Sequence, residues 1–160
     1  MQSLPVKVLF ATSDEQSLAL LHSLLNSAVD LMCFEVHAAS TTTQEELRAR
    51  VAAQMDDVIF LDWDVAEAGT PMLVETLIQQ NPQIRAVVLL PLDHRQYREK
   101  VWCSGACNSI PKEHMDQEWL SSILCVMYRA MQREQVLRAE LAARSASDHS
   151  TEVRAMQDIQ

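Results

Sequence analysis

Few side chains in this sequence could do chemistry, and those that could gather where apolar runs end. Asp62 closes the run Val58-Ile59-Phe60-Leu61, with Asp64 two residues further on. Thr12, Ser13 and Asp14 follow Lys7-Val8-Leu9-Phe10-Ala11, and Pro111-Lys112 follow a short run near Cys107–Ile110. A carboxylate is a nucleophile or a cation ligand, so Asp62 is the first residue to question. The plainer reading makes Asp62 and Lys112 an ion pair at the sheet's edge, worth little where exposed. On that reading Ser13 caps a helix, and Asp56, Asp57 and Asp64 are solvated loop acids. His94 falls in a first helical turn and His114 in a loop, neither beside a nucleophile that it could serve as a base. Cys103 and Cys107, spaced C-x3-C, could share a helical face or touch a metal. With only His114 nearby they fall short of the three or four ligands such a site takes.

The elements that must position these residues follow from hydrophobic period. Lys7–Ala11 reads as a strand, followed by Leu18, Leu21, Leu25 and Ala28 on one helical stripe that Ser13 and Gln16 would cap. Phe34–Ala38 alternates as a second strand, and Thr43 with Glu46 caps a helix carrying Leu47 and Val51. Val58–Leu61 is continuously apolar, as a strand covered on both faces must be. Thr70-Pro71 supplies an N-cap and an N1 proline ahead of Leu73, Leu77 and Ile78. Ala86–Leu90 is a fourth strand, with Leu89, Leu90 and Leu92 as core and rim. Asp93 and Gln96 would cap a helix through Tyr97 and Val101 that Gly105 ends in a left-handed turn. After the fifth strand, Asp116 caps a long last helix, with Met115 and Leu120 spaced as a staple. Five β-α repeats imply a doubly wound α/β domain: five parallel strands with helices on both faces. Ligands of such sheets sit outside the carboxyl ends of the strands, where Thr12, Asp62, Leu90 and Lys112 fall.

The order of elements, Val58-Ile59-Phe60-Leu61-Asp62, and the later Gly105-Ala106 followed by Pro111-Lys112 resemble the receiver domain of bacterial two-component response regulators. The resemblance covers about residues 5–130 and implies the CheY-like, flavodoxin-like fold. It makes Asp62 the counterpart of the phospho-acceptor and Lys112 that of the family's lysine. The remaining parts depart from the pattern. The two cation-holding acids match Thr12 and Ser13, the hydroxyl residue ending strand four matches Leu90, and the aromatic before the lysine matches Ser109. A carboxylate that meets a dianionic phosphoryl group needs a metal to neutralise and align the encounter. Asp62 beside neutral Thr12 and Ser13 is a poor magnesium site unless Asp14 or Asp64 bends inward. The expectation is a degenerate phospho-acceptor site with no catalytic residue, no bound metal and no cofactor.

From Trp119 to Arg144 there is no glycine or proline, and a seam runs through Leu120, Ile123, Met127, Ala130, Glu134, Leu137, Leu141 and Arg144. The domain is expected over residues 5–131, a helical extension and candidate coiled coil over 132–144, and a polar tail over 145–160. That tail would break near Ser145–Ser150 before a short helix carrying Val153, Met156 and Ile159. Leu137 and Leu141 would then need a partner helix, from a second copy or another protein.

Composition narrows the function. Of 160 residues, 48% are hydrophobic, and 13 basic residues against 22 acidic ones leave a charge of −9, so direct nucleic-acid binding is not expected. With two glycines there is no phosphate-cradling loop. The start carries no signal-peptide pattern and no run spans a membrane; with scattered cysteines, a reducing cytoplasm is expected. Three readings follow. The first is a non-enzymatic pseudo-receiver in bacterial signalling or gene regulation. It would bind a protein or a second copy through helix 4, strand 5 and helix 5 (Tyr97, Trp102, Trp119, Tyr128) and through the extended helix. The second is a working phospho-receiver using Asp62 with magnesium. The third is an enzyme or flavin protein on a flavodoxin-like sheet, against which the missing phosphate loop speaks.

Overall fold

The computed structural model describes residues 4–91 and 94–157, with side chains as far as residue 148. Leu92, Asp93 and Ile159, assigned above to rim, cap and tail, lie outside the described residues. By the density of its internal contacts the chain divides into two compact units, Met1–Ser121 and Ser122–Gln160.

In the first unit, five described strands form one parallel sheet: β1 (Val6–Ala11), β2 (Val36–Thr41), β3 (Val58–Asp62), β4 (Arg85–Leu90) and β5 (Asn108–Pro111), in the order β2-β1-β3-β4-β5. Between them run α1 (Glu15–Val29), α2 (Gln44–Ala52), α3 (Thr70–Gln80) and α4 (Arg95–Cys103). This is the doubly wound α/β architecture expected from the repeats. β2 begins two residues later than its alternation suggests, because it registers on β1 from Val6 opposite Val36 to Ala11 opposite Thr41. Both sheet faces are covered. Leu9, Ala11, Ile59, Leu61, Val88 and Leu90 join Leu47, Val51, Leu73, Leu77 and Val101 from α2, α3 and α4 in one buried cluster. On the other parity, Phe10 packs edge-on to His22 of α1 at 5.2 Å, and Phe60 meets Trp119 at 6.3 Å. Every residue of β3 is buried, Asp62 included, which is why its sequence does not alternate.

Helix ends correct several expectations. α1 is capped by Asp14, which accepts from the N–H groups of Gln16 and Ser17, and not by Ser13. An ionised carboxylate one residue later is the stronger acceptor for those amides. Thr43 caps α2 through the Glu46 N–H, as its spacing predicts, while Glu46 reaches back to the N–H of Thr42. Thr70 is not a cap: it is the first residue of α3, and its hydroxyl donates 2.7 Å to the Glu67 carbonyl in the preceding turn. His94 stands at the N-cap of α4 without a side-chain bond. Gly105 adopts φ +102, a conformation that calls for glycine, while a β-carbon there would meet only the movable Cδ1 end of Ile78. Asp116 accepts from the Trp119 N–H at 2.7 Å, as expected of a cap.

Two acids assigned to solvent are structural. Asp56 is buried and forms a two-pronged bond with Arg50, both contacts 2.9 Å, which holds the guanidinium's affinity for its proton above normal. Asp57 accepts from the Lys7 N–H at 2.9 Å and so fixes the start of β1.

The second unit is helical. Its described residues lie within α5 (Gln117–Gln157), 41 residues long and so about 60 Å. The break expected near Ser145–Ser150 is absent. The stretch has no glycine or proline, and Ser145 and Ser147 turn their hydroxyls back onto the Leu141 and Arg144 carbonyls at 3.0 and 2.8 Å. Serine bonded this way stays in a helix with little loss. Val136, Leu137 and Leu141 are exposed.

Candidate functional site

The site lies where β1 and β3 part company at their carboxyl ends: β1 is followed toward β2 on one side, and β3 toward β4 on the other. In open α/β sheets that divergence leaves a crevice. Asp62 ends β3 and is 3% exposed, so its carboxylate depends on protein partners. One oxygen, Oδ2, pairs with Lys112 Nζ and accepts from the Thr12 hydroxyl at 3.1 Å. The other, Oδ1, accepts from the Asp64 N–H at 3.3 Å, which makes Asp62 the cap of the short 3-10 turn Trp63–Val65. The ion pair of the plain reading is present, buried at its acidic end and about one-third exposed at Lys112.

Asp64 is also no loop acid in solvent. Its carboxylate faces the turn after β1, 3.4 Å from the Thr12 hydroxyl and 3.4 Å from the Ser13 N–H. Thr12 has one hydroxyl proton, so it serves Asp62 or Asp64 at a time, and the shorter contact favours Asp62. The Thr12 oxygen in turn accepts from the Asp14 N–H at 3.3 Å. Asp14 turns the other way. Its carboxylate takes the Ser17 hydroxyl at 2.6 Å and the Ser17 N–H at 2.9 Å. Those bonds hold its pKa below the ordinary carboxylate value, with the charge of Lys112 a lesser contributor. Of the two acids that might stand in for the missing pair, Asp64 bends inward and Asp14 is committed to α1.

This donor set does not suit a divalent cation of the kind the receiver resemblance implies. Among the described residues, no three histidine, cysteine or acidic side chains gather into a group that could hold a metal ion. The two acids that do approach each other are tied up by Lys112, Thr12 and backbone amides. Magnesium demands near-octahedral oxygen ligands, and nothing in this arrangement supplies the negative charge that would outbid those bonds.

The other matched positions fall around the rim. Leu90 is fully buried in the apolar cluster and offers no hydroxyl. Ser109 is half-buried, its carbonyl accepting from Arg98 at 3.1 Å. Trp63, next to Asp62, packs at a tilt against Tyr97 of α4 with ring centres 4.9 Å apart, and His94 meets Tyr97 edge-on at 5.7 Å. Tyr97 and Trp119 are thus occupied by packing, while Tyr128 accepts from Gln132 along its own helix and Trp102 is 68% exposed. Trp102, with Arg98, Val101, Ala106, Asn108 and Ser109, lines an open groove of about 290 Å³ between α4 and β5. The four cysteines are free thiols.

No protein-family model matches the sequence, and no curated protein does. Solved structures do match the fold. A two-component response regulator from Clostridium difficile is 16% identical, with a TM-score of 0.67 over 79% of this chain and 98% of the other. The receiver domain of Francisella response regulator 1452 is 18% identical, with a TM-score of 0.66 over 79% and 98%. A protein from Burkholderia pseudomallei, named as pilus assembly-related, is 15% identical, with a TM-score of 0.66 over 81% and 93%. The chain has the fold of response-regulator receiver domains, extended by a long C-terminal helix. Among the described residues no helix is long and apolar enough to cross a membrane.

Proposed function

We propose that this chain is a receiver-like module that signals through protein contacts without being phosphorylated, and that it catalyses no reaction. The observation that supports this is the state of Asp62. Both of its oxygens are engaged, by Lys112 and Thr12 on one and by the Asp64 amide on the other, in a mouth where, among the described residues, no third acid, histidine or cysteine joins Asp62 and Asp64 to hold a cation. A phosphoryl donor would have to break that network and meet the carboxylate without a neutralising ion. Leu90 and Ser109 would then give the product neither a hydroxyl contact nor an aromatic to move. What remains is a rigid scaffold with surfaces: the groove beside Trp102, and the apolar residues along the extended helix. An exposed tryptophan against a groove is a typical anchor for a protein partner.

The test is incubation with acetyl phosphate and magnesium, read by intact mass and by Trp63 fluorescence. The expected result is no adduct and no fluorescence response at millimolar magnesium. A stable adduct that disappears in Asp62→Asn would overturn the proposal and favour a working phospho-receiver.

A further inference from the structure

We infer that the extended part of α5 pairs with the same helix of a second copy of this chain, antiparallel, about a two-fold axis level with Ala139. The inference rests on reading that helix as an interaction element and specifies its partner. From the domain's last turn onward the seam positions are Ala130, Glu134, Leu137, Leu141, Arg144 and Asp148. The central four are mirror-symmetric in position and complementary in charge: 137 answers 141, and 134 answers 144. In the single chain Leu137 is 57% and Leu141 61% exposed, so this strip is bare.

An antiparallel pair centred there sets Leu137 against the partner's Leu141 twice over. It closes each end of that apolar patch with Glu134 against the partner's Arg144. A parallel, in-register pair does the opposite. It sets Glu134, Arg144 and Asp148 each against its own copy, three layers of like charge inside the seam, where water is scarcest and the repulsion largest. The antiparallel arrangement has its own cost, since Arg138 and Glu140 approach their copies near the axis. Both are on the exposed flank, however, and Arg138 is already bonded to Glu134 of its own helix at 3.4 Å, so salt and water screen that repulsion. A two-fold pair of this kind is closed and leaves no further seam to propagate.

Sedimentation equilibrium on the full chain tests this, with circular dichroism confirming that each variant keeps its helix. The parent is expected to be a dimer. Glu134→Arg places arginine against the partner's Arg144 at both ends and should weaken association by at least about tenfold. Adding Arg144→Glu restores the pairing with reversed sign and should recover the dimer. Glu134→Arg also loses the contact with Arg138, which the second substitution does not repair, so recovery isolates the contact between chains. A parallel pair would answer differently, because each swap exchanges one like-charged layer for another. A monomeric parent, a dimer indifferent to Glu134→Arg, or a double variant that stays weak would each overturn the inference. None of these outcomes involves Asp62. A monomer that takes no phosphate leaves the proposed function standing, and a swap-obeying dimer that is labelled at Asp62 leaves the pairing standing.

Discussion

At the scale of single residues, the site is governed by which oxygen accepts from which donor. Asp14 illustrates how one rotation removes an acid from a site: its carboxylate lies close enough to feel Lys112 but spends its lone pairs on Ser17 and Gln16. Because folding lowers its pKa below 3.8, its contribution to stability is fully present above that pH and is lost as pH falls through the depressed value. Asp14→Ala should therefore lower stability to urea at neutral pH, and the gap to the parent should narrow as the pH drops below about 4. A gap that stays constant to pH 2.5 would show that the cap's charge is not what stabilises α1. Thr41 presents the opposite case. It ends β2 beside Ala11, its backbone carbonyl accepts from the Thr12 N–H, and its hydroxyl is buried without a hydrogen-bond partner among the described residues. Thr41→Val keeps the shape and removes the stranded hydroxyl, so it should stabilise the chain by about 1 kcal/mol in urea unfolding. A loss of stability would mean that the hydroxyl has a partner in solution.

At the scale of elements, the ends of strands and helices decide what reaches the mouth of the sheet. β3 is buried end to end, and the 3-10 turn that follows aims the Asp64 carboxylate back at the turn after β1. The tilted packing of Trp63 against Tyr97 then joins that turn to α4. The last helix follows other rules. Beyond the domain it has no fold to shape it, and continuous helix there depends on the lack of breakers and on serines that bond backward. Ala146→Pro tests this. Proline in a helix interior costs about 3 kcal/mol and removes one backbone bond, so helical ellipticity at 222 nm should fall while near-ultraviolet tryptophan signals stay unchanged. In a chain already broken near Ser145 the same substitution would leave the ellipticity as it was.

At the scale of the whole molecule, a receiver fold and a long helix are combined with a formal charge of −9. The fold was largely legible. Strand runs such as Val58–Leu61 and Ala86–Leu90, the Thr43 and Asp116 caps and Gly105 all act through short-range physics that a linear string carries. The misreadings occurred where neighbours far apart in sequence compete for one group. Ser13 and Asp14 were both eligible to cap α1, and Asp56 looked solvated until Arg50 came round from α2. Nothing near Asp64 in the chain signals that it would turn toward Thr12, 52 residues away.

Sequence by itself determined the five-strand order of elements, the position of Asp62 and Lys112 at the carboxyl edge, and the absence of acids at Thr12 and Ser13, the two positions that directly follow β1. These are matters of residue type and period, which no packing can alter. Tertiary structure alone decided that both oxygens of the Asp62 carboxylate are engaged by its neighbours and that Asp64, not Asp14, turns its carboxylate toward Thr12. Hydrogen bonds between loops 50 residues apart depend on how strands register and turns bend, and that geometry is set only when the sheet closes.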